Sequence, residues 1–175
     1  MKGNQRLWHN LTEILQTVAI ALMLSFIIRL FLFQPFYIPS SSMEPTLRPG
    51  DRILVNKFIY HFQKPRRGDV IVFRFPLDPQ RDFIKRIIAF GGETLEVKNN
   101  QVFIDGRKLE EPYLPPDIRF GNYGPVTIPE GYYFVMGDNR SHSQDSRFWG
   151  PLNRKYIIGK AVLIFWPWFR AGLIR

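Results

Sequence analysis

Three consecutive hydroxyls, Ser40, Ser41 and Ser42, stand in the run Pro39-Ser40-Ser41-Ser42-Met43-Glu44-Pro45-Thr46. Serine side chains tend to bond neighbouring backbone and favour loops, but proline at both ends of this run fixes φ and narrows the path of the chain between. A hydroxyl held in one path can act as a nucleophile when a base and an oxyanion site come from elsewhere. One candidate base is Lys85, in Asp82-Phe83-Ile84-Lys85-Arg86-Ile87-Ile88-Ala89-Phe90. The flanking Phe83, Ile84, Ile87 and Ile88 make an apolar setting that disfavours the ammonium and lowers its pKa from about 10.4. A neutral amine can take a serine proton. Arg86 points to the opposite face of a strand and suits a structural ion pair.

The chain has three histidines, His9, His61 and His142. His9 precedes the serines by a long apolar stretch, and His61 lies in the basic loop HFQKPRR. His142 lies in Gly137-Asp138-Asn139-Arg140-Ser141-His142-Ser143-Gln144-Asp145-Ser146-Arg147-Phe148-Trp149-Gly150, where a triad with Asp138 or Asp145 is the minority mechanism. This run reads as a turn-rich loop, yet its alternating carboxylates, hydroxyls and guanidiniums also suit a hydrogen-bonded brace. Asp138 with Arg140 and Asp145 with Arg147 are the expected ion pairs, and a hydroxyl here could orient a lysine amine.

The elements that must position these groups begin with Ile14 to Phe33, ILQTVAIALMLSFIIRLFLF. Twenty residues at ~1.5 Å rise span roughly 30 Å, the depth of a bilayer core. Arg29, one turn from the end, is expected to reach the headgroups along its own stem. A cleaved leader would be shorter and followed by a small-x-small site, and a buried helix would show a polar face. Lys2 and Arg6 favour an inside N-terminus. Gln34-Pro35 is expected to end the helix.

Everything beyond reads as β. Residues 52–58 and 69–75 are β-branched and aromatic runs that follow Gly-Asp turns, and LEVKNNQVFIDGRKL (95–109) alternates around Asn99-Asn100 and Asp105-Gly106. Residues 132–136 and 156–166 supply further strands. With 14 prolines and 13 glycines between them, these runs predict a mainly β chain: an antiparallel, barrel-like or two-sheet catalytic domain with one N-terminal transmembrane helix. The expected division is a short N-terminus at 1–13, the span at 14–33 and the β domain at 34–175, with a small accessory hairpin within 94–129. AVLIFWPWF (161–169) is too short to span and suits either the interface or a last core strand.

Composition narrows the partners. A chain of 175 residues, 45% hydrophobic, can make one domain and an anchor. It has no cysteine, so disulfides and thiolate metal sites are excluded. The net charge of +9 points to an anionic partner; its spread along the chain favours the phospholipid bilayer over nucleic acid.

Four blocks, PSSSMEPTLRPGDRILVNK, RGDVIVF, DFIKRIIAFGGE and GDNRSHSQDSRFWG, resemble in sequence and order those of bacterial type I signal peptidases, serine endopeptidases of protein export. With the apolar stretch the resemblance covers most of residues 14–152. It implies Ser42 as nucleophile and Lys85 as general base, with Ser40 and the Ser42 N–H forming the oxyanion hole and Ser143 orienting the lysine. It also implies Asp138, Arg140, Asp145 and Arg147 as braces, and Phe36, Ile38, Pro39, Met43, Leu47, Phe83 and Ile84 as walls of shallow pockets for alanine-sized side chains. The implied substrate is an exported preprotein bound as an added strand. No metal and no cofactor are implied. The implied location is a plasma membrane, or a thylakoid membrane in a photosynthetic host, with the catalytic domain outside the cytoplasm.

Ala89-Phe90-Gly91-Gly92-Glu93 departs from the Gly-Leu-Pro-Gly-Asp run frequent in that family. Ser141 and His142 stand where an acidic residue and an asparagine are frequent. The rival readings are a repressor-type Ser-Lys hydrolase, which would carry a DNA-binding helical module, and a non-enzymatic anchored β module that binds secreted peptides.

Overall fold

A computed structural model describes residues 2–175. Within the N-terminal helix the described side chains are those of residues 10 and 13–26, so the expectations for Lys2, Arg6, His9 and Arg29 lie outside them. Helix α1 (Lys2–Phe31) begins well before residue 14, because the polar segment ahead of the apolar run has no proline to interrupt the hydrogen-bond ladder. The described side chains of residues 13–26 are all exposed, Ile14, Leu15, Leu22 and Phe26 among them. The helix therefore leaves an apolar surface uncovered by the rest of the chain. Among the described residues no helix is long and apolar enough to cross a membrane.

Gln34-Pro35 does not end the helix. The helix stops at Phe31, and β1 (Phe33–Tyr37) follows after Leu32 alone. Pro35 is tolerated because β1 is an edge strand, with a partner on one side only. The further strands and short helices are β2 (Arg52–Asn56), α2 (Ile59–Phe62), β3 (Val70–Phe75), β4 (Asp78–Phe90), β5 (Thr94–Lys98), β6 (Gln101–Ile104) and β7 (Arg107–Lys108). They are followed by β8 (Tyr123–Thr127), β9 (Tyr132–Met136), α3 (Ser146–Trp149), β10 (Leu152–Asn153), β11 (Ile157–Trp166) and β12 (Gly172–Leu173).

The described strands form two antiparallel sheets. The larger runs β1-β2-β11-β3-β4-β9-β10 with β12 beside β11, and the smaller runs β7-β6-β5-β8. The unbroken apolar run of β3 reflects burial on both faces: Val70 and Val72 join Ile53, Val55, Met43 and Leu47 on one side, while Ile71 and Phe73 join Ile87, Val135 and Leu152 on the other. A third cluster joins the two sheets, with Ile88, Ala89, Phe134 and Met136 against Leu95, Val97, Val102 and Ile128.

The accessory segment is a four-stranded sheet, not the small hairpin expected from its alternation. Its turns fall where the sequence put them: Asn99 and Asn100 have φ of 51° and 59°, and Asp105 and Gly106 have 50° and 76°, the left-handed pair that two-residue hairpin turns require. The strand that enlarges it is β8, which pairs with β5 and carries Gly124-Pro125, a weak strand signal. The divergent turn after Lys85 closes through Gly91, whose Cα packs on the Pro129–Glu130 backbone with no room for a Cβ. At the far end, β11 divides its roles. Ala161 and Ile164 are buried, whereas Phe165, Trp166 and the following Trp168 and Phe169 are exposed.

Candidate active site

Ser42 sits in a chain of turns between β1 and β2, where Glu44 N–H donates to Ser41 O (3.0 Å) and Leu47 N–H to Met43 O (2.9 Å). The polar loop after β9 holds this turn from the other side. Asn139 N–H donates to Ser42 O and Asn139 Nδ2 to Ser41 O, both at 3.1 Å. Beneath them lies β4, whose register with β3 sets Lys85 opposite Ile71. Lys85 Nζ donates to Ser42 Oγ at 2.8 Å and to Ile84 O at 2.8 Å. Forty-three residues apart in sequence, the amine and the alcohol are in direct contact.

Lys85 is 4% exposed. Burial lowers its pKa from 10.5 to about 8, against the opposing pull of Asp145 and Asp138. Its amine is thus neutral in an appreciable fraction of molecules near neutral pH, and the 2.8 Å separation then allows the Ser42 hydroxyl to donate its proton to nitrogen. Ser40 Oγ lies 3.4 Å from Ser42 Oγ. The Ser42 N–H has no main-chain acceptor among the described residues.

Ser143, expected to orient the lysine, makes no hydrogen bond to it. Its Oγ is buried and has no hydrogen-bond partner, and the Ile84 carbonyl takes the orienting place on the amine instead. The hydroxyl packs against Gly137, where an added Cβ would lie 2.2 Å from Ser143 Oγ and 2.4 Å from Ser42 O. Gly137→Ala is expected to push the Ser42 turn outward and lower kcat about 100-fold. Steady-state cleavage assays on the folded variant check this, and a near-normal kcat would show that the turn has slack.

The brace pairs differently from the adjacent-residue expectation. Asp138 bonds Arg86, not Arg140: Arg86 Nε donates to Oδ1 at 2.9 Å and Nη2 to Oδ2 at 2.6 Å, both residues being at most 1% exposed. Thr46 Oγ1 donates to the same carboxylate at 2.6 Å. Arg140 pairs with Glu111, whose buried carboxylate helps hold the guanidinium pKa up against desolvation. Asp145 pairs with Arg147 as expected, at 2.8 Å from both Nε and Nη2, and also accepts from Gly137 N–H at 3.0 Å. A side chain two residues along an irregular loop points elsewhere as often as it meets its neighbour, which is why spacing alone misassigned Asp138. Thr46 and Asn139 lay inside the recognised blocks without being singled out, and Glu111 lay in a segment with no periodic signal.

His142 lines the same cavity as Ser42 and Lys85 but is exposed, with Nδ1 in contact with Ser141 Oγ at 3.0 Å. Asp138 and Asp145 are taken by arginines, so no His142–carboxylate pair of the triad kind is present. His61 lies on α2, away from this cavity.

The cavity, of 530 Å³, is walled on its apolar side by Pro39, Phe83 and Ile84. The other expected pocket residues are elsewhere. Ile38, Met43 and Leu47 are at most 2% exposed and belong to the core; Phe36 lines a separate groove of 790 Å³ beside Phe33 and Phe165, which holds neither Ser42 nor Lys85. Alongside the cavity, β4 has an open edge. It pairs with β3 from Asp78 to Arg86, but β9 joins its other side only from Arg86 onward. Main-chain groups of residues 78–83 on that side are available to an added strand, the Ile84 carbonyl being taken by Lys85. Among the described residues no group of three or more histidine, aspartate or glutamate side chains is arranged to hold a metal ion.

The chain is similar in sequence and fold to known proteins. A family model described as signal peptidase, peptidase S26, matches residues 11–166. A signal peptidase I of Leptolyngbya laminosa is 44% identical over 172 residues, 93% of this chain and 83% of that protein. The signal peptidase I P of Bacillus subtilis subsp. natto is 37% identical over 168 residues, 90% of each. A crystal structure of a signal peptidase I from Enterococcus faecalis V583 matches with a TM-score of 0.50 at 31% identity, over 56% of this chain and 97% of that one.

Proposed function

The chain belongs to the signal peptidase family, peptidase S26, and from that premise we propose that it is a membrane-anchored serine endopeptidase that removes signal peptides from exported preproteins after a small-x-small site. The observation that carries this reading is the 2.8 Å contact between Ser42 Oγ and a lysine amine that is 4% exposed. Lys85 takes the Ser42 proton as Oγ attacks the scissile carbonyl. Charge on the carbonyl oxygen is met by the Ser42 N–H and the Ser40 hydroxyl. The ammonium then returns the proton to the leaving amine, and a water activated by the same amine hydrolyses the acyl-enzyme. The Ile84 carbonyl, 2.8 Å from the amine, steadies the lysine while it carries the extra proton.

The substrate lies as a strand along the open edge of β4, with alternate side chains facing Pro39, Phe83 and Ile84. Selection is by exclusion, because a large side chain meets these walls. The apolar residues of 14–33 and the exposure of the described part of α1 support a bilayer anchor with the β domain outside the cytoplasm. Exposed Trp166, Trp168 and Phe169 suit the interface.

The test uses full-length protein and a preprotein bearing an Ala-x-Ala site. Cleavage after the second alanine is expected, and kcat/KM should rise about tenfold per pH unit up to a limb near pH 8, because only the neutral amine is active. Ser42→Ala should leave no turnover. Cleavage by that variant, or a profile flat from pH 6 to 9, would refute the mechanism.

A further inference from the structure

Residues 109–122, between β7 and β8, leave the smaller sheet and lie across the three guanidiniums of the brace. Glu111 grips Arg140 with both oxygens, Oε2 accepting from Nη1 at 2.9 Å, and its side chain is 7% exposed. Tyr113 Oη donates to Glu111 Oε1 at 2.6 Å, while its ring covers the Arg86 guanidinium at 3.8 Å from the centroid. The Phe120 ring sits under Arg140 at 5.2 Å and Arg147 at 6.0 Å. Phe120 N–H donates to Asn100 Oδ1 and Leu109 N–H to Val102 O, both at 2.8 Å, which fastens the segment to the hairpin of the smaller sheet.

Two routes lead from this segment to the reacting groups. Arg140 Nε donates to Gly137 O at 3.1 Å, and Gly137 is packed on Ser42 O. Arg86 directly follows Lys85 in β4. Charge is arranged in the same way. Arg86, Arg140 and Arg147 face Asp138, Asp145 and Glu111, so the brace is neutral only with the carboxylate that the segment supplies.

We propose that residues 109–122 form a strap through which the smaller sheet holds Ser42 and Lys85 in register, with Glu111 and Tyr113 as positioning residues. The inference rests on the Ser42–Lys85 mechanism. Removing the Glu111 charge leaves Arg140 unpaired and free to turn toward Asp138 or Asp145, which loosens Gly137. It also makes the surroundings of Lys85 more positive. The charged or titratable groups around that amine are Asp138, Asp145 and Arg86 within the brace, and Arg81, Asp82 and His142 in the cavity.

Full-length Glu111→Gln is expected to lose about tenfold in kcat with KM changed less than about twofold. The acid limb of its pH profile should move down by about half a pH unit. Glu111→Asp, which keeps the charge, should recover the limb and part of kcat. Glu111→Gln with unchanged kcat and limb, and only a lower Tm, would reduce the strap to a structural element and overturn the proposal. Should Glu111→Gln fail to fold, Tyr113→Phe keeps the ring over Arg86 and loses only the hydroxyl bond; about threefold lower kcat is expected, and an unchanged kcat overturns the proposal. Lys85→Ala is assayed alongside. Activity surviving there breaks the underlying mechanism and the strap with it, whereas an inactive Lys85→Ala beside a normal Glu111→Gln breaks the strap alone.

Discussion

Replacing Lys85 by methionine is expected to abolish cleavage and, at neutral pH, to make the protein more stable. Loss of a general base costs about 10²–10⁴ in rate, and the upper end applies here because no other base touches Ser42. The stability gain follows from the same burial. Desolvation lowers the amine from 10.5 in the free side chain to about 8 in the fold, so the unfolded chain binds more protons between those values and stability rises with pH across that window. Below about pH 8 the folded protein carries a buried ammonium at a penalty of about 3 kcal/mol, which methionine removes. For a chain of this size that is roughly 6–12 °C in Tm. Thermal unfolding of both proteins at pH 7 and pH 10.5 checks the sign: the variant should lead at pH 7, and the difference should narrow at the higher pH. A variant no more stable than the parent at pH 7 would mean that the amine is not held at this cost.

The second large effect concerns Asp138. With Asp138→Leu, Arg86 keeps its charge at 1% exposure and loses both carboxylate bonds. Breaking one side of such a pair costs about 3–5 kcal/mol, roughly 10 °C in Tm. Removing both charges with Arg86→Met and Asp138→Leu should restore most of the loss, since two apolar groups of similar volume fill the space without an orphaned ion. The cycle of single and double variants reads the coupling directly. If the double lost as much stability as the two singles added together, the pair would be a packing element whose charges are incidental. Catalysis should fall in all three variants, because Arg86 adjoins Lys85 and also meets Thr46 of the serine turn at 3.2 Å.

The strands were legible because they carry local signals. VIVF in β3 reads as a doubly buried strand, and the paired Asn99-Asn100 and Asp105-Gly106 demand a left-handed backbone that hairpin turns supply. Ser42 and Lys85 were legible through their motifs, and the apolar flanks of Lys85 foretold its burial. What stayed hidden was set by tertiary contact. Nothing local in Glu-Glu-Pro-Tyr (110–113) announces that Glu111 will be buried against Arg140, or that Met43 and Leu47, close to Ser42 in sequence, will face the core and not the cavity. The extent of α1 and the place of Pro35 were misread because proline marks an edge strand as readily as a helix end.

Leu32 alone separates α1 from β1, and its carbonyl accepts from Lys57 N–H at 3.0 Å. A joint of one residue, pinned to the neighbouring strand, has no slack to absorb rotation. The helix and the sheet behind it must therefore swing together as one lever, and whatever tilts the shaft re-aims the Ser42 turn with it.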